Sequence, residues 1–430
     1  MNVVLSIDAI HPPLAGIGRY AWELATRLPH CAGVESVRYL ADGRWASLPN
    51  PELSSELSPE VVANPETVVH AAPAALPSVA EPELNFKGRL RQRLERVPRA
   101  IAQQLKQFPH SLRYRIGQMP LAARAYSKLM PMMASSQLAN VQTGVFHGPN
   151  YFVPKTHLPC VVSIHDLSIY RYPQWHPKAR IERMQIAIPE AIERAKVILA
   201  ISESTRKDII EKFQIPPERV HVTLLGVDAI YHQRSAEELL PVLSRFGLTQ
   251  NAYSFFVSTI EPRKNLLNLL AAYRALPLSM RRRWPLVLAG GGGWQSDDIH
   301  EDMQRASREG WLKHLGFVEQ RDLPALYAGA RLFTYPSWYE GFGLPIAEAM
   351  ASGVPVLTSN CSSMPEVANG AAILVEPGDV SSIQLGLAQA LEDDSWRQQA
   401  IQRGLQRAAE LSWDACVAQT IVAYRAASAG

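Results

Sequence analysis

The chain has 430 residues, more than one hydrophobic core usually serves, so two domains are expected. Hydrophobic residues make up 47%, too many for a disordered chain, and a net charge of +3 gives no general pull toward nucleic acid. Four cysteines (Cys31, Cys160, Cys361, Cys416) show neither CxxC pairing nor metal-ligand spacing with histidine, which points to reduced, mostly buried thiols and no metal site.

The N-terminal MNVVLSIDAIHPP has no basic leader and no long apolar run, so it reads as a first strand over 3–7 and a cytoplasmic location is expected. A glycine loop with Gly16, Gly18 and Arg19 follows. Then Trp22, Leu24, Ala25 and Leu28 recur at helical spacing. Residues 46–84 are rich in Pro, Ala, Ser and Glu and open an insertion reaching to about 135. Within it, residues 87–128 hold eleven Lys/Arg against one acid, Glu95, with Leu90, Leu94, Val97, Ile101 and Leu105 at helical spacing. Such a basic amphipathic segment suits an anionic membrane surface. A solvated helix on the first domain is the plain alternative, and no recognised module argues for RNA. Further β-rich runs at 161–164, 197–201, 255–258, 286–289, 332–335 and 354–358 alternate with helical patterns. The expected class is α/β, with a parallel sheet in each of two domains, 1–240 and 241–430.

The densest signal runs from Tyr335 to Met350. A strand ends near Tyr335, Gly341 and Gly343 permit close backbone approach, and Pro345 suits the first turn of a helix. That helix would offer free amides to a diphosphate. Glu340 precedes the glycines and Glu348 is expected in the first helical turn, so both can face one ligand. Earlier, Arg263 and Lys264 stand between a strand and a helix. Cations there oppose the helix dipole, which favours an anionic ligand. At 162–167 an apolar strand runs into His165-Asp166, at the sheet edge where α/β ligands bind. Asp166 is placed to orient the His165 ring. His147 and Asn150 end another strand, at the same sheet edge. Ser202 reads as a helix cap and 226–228 as a turn. The 290–293 glycine run lacks the last glycine of a dinucleotide fingerprint, so Gly290, with Val318, reads as a nucleotide-base loop.

The Glu340–Glu348 string resembles the E-x7-E signature of the retaining glycosyltransferase family 4, whose architecture is GT-B: two Rossmann-like domains facing a cleft. The flanks 322–327 and 351–356 fit too, and the likeness is strongest over 197–378. The resemblance implies that Glu348 binds the nucleotide ribose. Glu340, with backbone around Gly341, Phe342, Gly343 and Leu344, would face the donor sugar and phosphate. Arg263 and Lys264 would stabilise the departing nucleoside diphosphate in place of a metal; no DxD is present. Gly16 and Gly18 would lie by the donor phosphate, His165 against the reacting sugar, and Arg19, His147, Asn150 and Asp166 toward the acceptor. The last helix would pack back on the first domain. No cofactor is implied.

The strings at 261–265 and 147–150 are similar to bacterial mannosyltransferases of surface-polysaccharide assembly. That favours mannose or rhamnose from a GDP-linked donor, and a glycan or lipid-linked saccharide acceptor. The enzyme could then sit on the inner face of the plasma membrane. A nucleotide-sugar epimerase of the same fold and a non-catalytic partner subunit are the alternatives.

Overall fold

The computed structural model describes residues 1–11, 14, 16–49 and 130–429. The basic segment 87–128 and nearly all of the expected insertion lie outside them. Met1–Pro49 and Ala134–Gly430 form one compact unit, built as two lobes.

The first lobe's sheet contains β1 (Asn2–Ser6), β2 (Ser36–Ala41), β3 (Arg44–Ala46), β4 (Val145–Gly148), β5 (Cys160–Ile164), β6 (Val197–Ala200) and β7 (Val220–Val222). Their spatial order is β3-β2-β1-β4-β5-β6-β7, parallel except for β3. The second sheet contains β8 (Ser254–Val257), β9 (Leu286–Ala289), β10 (Leu312–His314), β11 (Leu332–Tyr335), β12 (Val356–Ser359) and β13 (Ala372–Val375). Its order is β10-β9-β8-β11-β12-β13, all parallel. Central strands such as Val197–Ala200 and Leu286–Ala289 are buried along their whole length, because helices cover both faces of a parallel sheet. In each sheet the chain reverses its direction of travel at one point, between β1 and β4 and between β8 and β11. Loops leaving the carboxyl ends there splay apart and leave a crevice for a ligand.

The lobes are joined twice. The chain passes into the second lobe beyond Asp228, and the helix Ala236–Arg245 already packs on the second-lobe helix Leu323–Ala328. The change of lobe therefore falls ahead of that helix, not at 240 within it. The helix Asp394–Glu410 packs on Leu344–Ala351, and the chain then crosses back. The last helix, Trp413–Ala429, lies on β4, β5 and β6 of the first sheet. The crossings touch: Val227 N donates to Leu411 O at 2.9 Å, and a Cβ on Gly226 would lie 2.1 Å from Trp413 N.

Candidate active site

The second crevice is a cluster of buried charge. After β8, one 3₁₀ turn (Pro262–Lys264) and Asn265 in the left-handed region (φ 59°) lead into the helix Leu266–Ala275. Asn265 Nδ2 donates to the carbonyls of Pro336 at 2.9 Å and Pro377 at 2.8 Å, tying this turn to the loop after β11. Trp338 N donates to Arg263 O at 3.0 Å. So positioned, Lys264 Nζ donates to Glu340 Oε1 at 2.7 Å, and Arg263 donates to Glu340 Oε2 at 2.8 Å. Arg263 also donates to Glu261 at 2.6 Å and to the Tyr339 carbonyl at 2.7 Å; Lys264 also donates to the Tyr335 hydroxyl at 2.7 Å. Burial alone would raise the Glu340 pKa, but Arg263 and Lys264 outweigh it and hold the carboxyl at about 2. Glu340 is therefore an anion at any physiological pH. The cation pair, expected to need an anionic ligand, already has anionic partners within the chain.

Gly343 (φ 102°) turns the chain into the helix Leu344–Ala351, whose N-terminus has no side-chain cap. Pro345 has no N–H and Ile346 N donates to Gly343 O at 2.9 Å, which leaves the Leu344 amide for a ligand. Pro345 stands in the first turn, as expected. Glu348, the fifth helical residue, stands in the second turn instead, because the helix begins only after the glycine. Tyr327 donates to its carboxylate at 2.8 Å, and Arg19, Asp228 and Tyr231 surround it. Burial pushes its pKa up to about 7, against the pull of the Tyr327 hydroxyl and Arg19.

The lobes meet at Gly341. Its carbonyl accepts from Ser202 Oγ at 2.7 Å and Thr205 Oγ1 at 3.2 Å, and a Cβ there would lie 1.9 Å from His165 O. Ser202 also caps its own helix by accepting from Thr205 N. His165 is 5% exposed and contacts the Pro149 carbonyl through Nε2 at 2.7 Å. Burial lowers its pKa, so the ring is neutral. Asp166 does not orient that ring: its carboxylate accepts from Ser168 N at 2.8 Å and Ser168 Oγ at 2.7 Å. Burial would raise its pKa, but Arg263 across the cleft and Ser168 keep it low.

Two acceptor expectations are corrected. His147 is fully buried, with one ring nitrogen 2.7 Å from the Tyr424 hydroxyl and the other 2.8 Å from Ser163 Oγ. The last helix, folded back on β4, seals it from the cleft. Arg19 pairs with Asp228 at 3.0 Å and lies beside Glu348, at the expected ribose end. Asn150 is exposed. Gly16 (φ 49°) has open space where a Cβ would stand, whereas a Cβ on Gly18 would meet Ala9 O at 2.9 Å. Gly290 N donates to Gly316 O at 2.7 Å, joining the loops after β9 and β10; Val318 is buried and Phe317 is exposed. Tyr327, Tyr231, Tyr335 and Glu261 belong to these clusters as well. Tyr335 and Glu261 stood inside the strings already singled out, and Tyr327 inside a flank, but each names its partner only across the fold.

Two family models cover both lobes: Glycosyltransferase Family 4 matches residues 14–230 and Glycosyl transferases group 1 matches residues 246–407. The chain is 37% identical over 426 residues to O-antigen chain mannosyltransferase B of Escherichia coli, covering 99% of this chain and all of that one. The chain belongs to glycosyltransferase family 4. This family 4 enzyme is a glycosyltransferase, similar to bacterial mannosyltransferases of O-antigen synthesis. Its fold is GT-B. The crystal structure of WaaG, a glycosyltransferase involved in lipopolysaccharide biosynthesis, superposes with TM-score 0.62 at 14% identity over 98% of this chain and 99% of that one. Anabaena HepE with UDP and glucose gives TM-score 0.62 at 16% identity, covering 98% of each chain. Among the described residues, no helix is long and apolar enough to cross a membrane.

Proposed function

We propose that this enzyme transfers mannose, with retention, from GDP-mannose to a glycan or lipid-linked saccharide acceptor in bacterial surface-polysaccharide synthesis. GDP-rhamnose is the alternative donor. The observation that carries the reading is the Glu340–Arg263–Lys264 cluster at the second sheet's crevice, facing His165 and Asp166 of the first lobe. The 37% identity to an O-antigen mannosyltransferase over 99% of the chain supports the sugar and the pathway class. Donor binding falls to the second lobe: Glu348 accepts from the ribose hydroxyls, the Gly290 and Val318 loops flank the base, and the Leu344 amide meets the diphosphate. Arg263 and Lys264 stabilise charge on the leaving diphosphate, and no metal is required.

In the reaction the bond from the sugar's anomeric carbon to phosphate oxygen breaks, and the acceptor oxygen bonds to the same face. The nucleoside diphosphate leaves with the bond pair, and one of its phosphate oxygens takes the acceptor proton. No covalent sugar–enzyme intermediate forms. Asp166, the carboxylate beside the reaction centre on the first lobe, is engaged by Ser168 and faces Arg263. Residues 87–128 dock the enzyme on anionic lipid.

The test measures nucleoside diphosphate release from GDP-, UDP-, dTDP- and ADP-sugars with a bacterial glycolipid acceptor, in EDTA, with Glu348→Ala as control. Acceptor-dependent release from GDP-mannose, abolished in the variant, is expected. An inverted product, a trapped glycosyl-enzyme, or turnover that needs added metal would overturn the corresponding part. Conversion of the donor without acceptor would point to an epimerase.

A further inference from the structure

One polar side chain beside the reaction centre has nothing to bind. His176 follows the short turn Pro173–Trp175, which leads from the end of β5 toward the helix Lys178–Arg194. It is 5% exposed, and neither ring nitrogen has a hydrogen-bond partner. Its ring lies 6.3 Å from that of Trp294 on the other lobe, and the charges acting on it are Arg180 and Asp166 of its own lobe and Arg263 and Glu261 of the other. Burial, reinforced by Arg180, lowers its pKa, so it is a neutral imidazole with one donor and one acceptor. Buried polar groups are almost always paired, and an unpaired one calls for a function.

A chain of aromatic rings starts at it. The Trp294 ring lies 6.3 Å from His176, and its indole N–H donates to the Trp175 carbonyl across the cleft. Trp175 is 6.1 Å from Trp338, which adjoins Glu340 through the catalytic loop. Trp175, Trp294 and Trp338 are each half-buried; Trp175 stacks one face on Tyr172 at 4.4 Å, and Arg180 lies 5.7 Å from the Trp294 ring centre. Half-buried aromatic rings beside a neutral donor–acceptor pair suit a saccharide. Its C–H faces pack on rings, and each hydroxyl both donates and accepts. A phosphate would find better partners in the neighbouring cations.

We propose that His176, with the Trp175, Trp294 and Trp338 rings, forms a saccharide subsite that holds the acceptor sugar, the imidazole exchanging hydrogen bonds with a sugar hydroxyl. The assignment to acceptor follows from His176 and Trp175 belonging to the first lobe, and it rests on the glycosyl-transfer reading above.

The experiment titrates α-mannotriose calorimetrically into enzyme saturated with GDP. It compares the wild type with His176→Phe, His176→Gln and Trp175→Ala and records each thermal midpoint. The wild type binds the trisaccharide; His176→Phe weakens it tenfold or more, His176→Gln recovers part, and Trp175→Ala weakens it severalfold. GDP affinity stays level, and the midpoint of His176→Phe is unchanged or higher. No trisaccharide binding by the wild type overturns the subsite. Unchanged affinity in His176→Phe also overturns it, and a lowered midpoint would then mark the ring as structural. If His176→Phe instead weakens GDP-mannose relative to GDP, the acceptor assignment fails and the donor sugar occupies the subsite. A wild type that releases nucleotide from no donor defeats the functional reading, while the trisaccharide titration still decides the subsite.

Discussion

The two lobes share a strand order, and each opens a crevice where that order reverses, yet the crevices hold opposite kinds of chemistry. In the second, Glu261, Arg263, Lys264 and Glu340 are packed within hydrogen-bonding reach of one another. In the first, the strand end carries His165, kept neutral by burial, beside the ionised Asp166, while His147 is sealed behind them. The contrast teaches what each lobe is organised to hold. A fixed array of paired charges is preorganised for a leaving group that gains negative charge. A neutral imidazole and a single carboxylate suit hydroxyls, which both donate and accept.

The largest way to break the comparison is to discharge the second crevice. Glu340→Gln leaves two buried cations short of an anion, a loss of about 3–5 kcal/mol when one partner of a buried pair is removed. We expect a large fall in denaturant midpoint and turnover reduced about 100-fold or more, read by urea unfolding and by diphosphate release. Near-normal turnover in a folded Glu340→Gln enzyme would show that the clamp is not what organises the site.

The first crevice makes the opposite prediction. His147 has its pKa lowered from 6.5 to about 3 by burial, so between those pH values the unfolded chain binds more protons than the folded one. Stability must then fall as pH drops through this window, by up to about 1.4 kcal/mol per pH unit from this group. His147→Gln flattens the slope in pH-dependent unfolding while leaving the acceptor KM alone. A changed acceptor KM would return His147 to the cleft.

The contact between the crevices is tested by Gly341→Ala. A Cβ 1.9 Å from His165 O forces the lobes apart. Overpacking of this kind costs about 1–3 kcal/mol, and turnover falls about tenfold while GDP still binds the second lobe. Equal losses in GDP affinity would mean that the substitution damages the loop itself.

How much of this was legible follows the range of the interactions. The central strands announce themselves as continuous apolar runs, and the Tyr335–Met350 string carries loop, helix start and both glutamates within a few turns of chain. Ser36–Ala41 escapes because its polar residues break any apolar run, and Ala372–Val375, an apolar run at the sheet's edge, escapes because four residues are too few to tell a strand from a helix. His147 was misplaced because the residue that seals it, Tyr424, lies 277 positions away. The cations' partner was missed for the same reason: Arg263 and Glu340 are separated by 77 positions, and only the β8–β11 pairing brings their loops together. Glu348 slipped by a turn because the left-handed Gly343, not the proline, sets where the helix begins.

The smallest predicted effect sharpens a contrast inside one motif. Glu340 and Glu348 have seven residues between them, yet one is held at about 2 by cations and the other raised to about 7 by burial. Only the ionised Glu348 can accept from both hydroxyls of a ribose, so donor affinity should weaken as pH falls through about 7. The Tyr327 hydroxyl favours the ionised form by donating to it. Tyr327→Phe removes that bond, worth about 1 kcal/mol, and so raises the donor KM about fivefold at neutral pH and moves the acid limb of the profile to higher pH. Raising the pH should then restore affinity, because the carboxylate is regained while the phenol is not. A Tyr327→Phe enzyme whose donor KM is high at every pH would instead mean that the tyrosine touches the nucleotide itself.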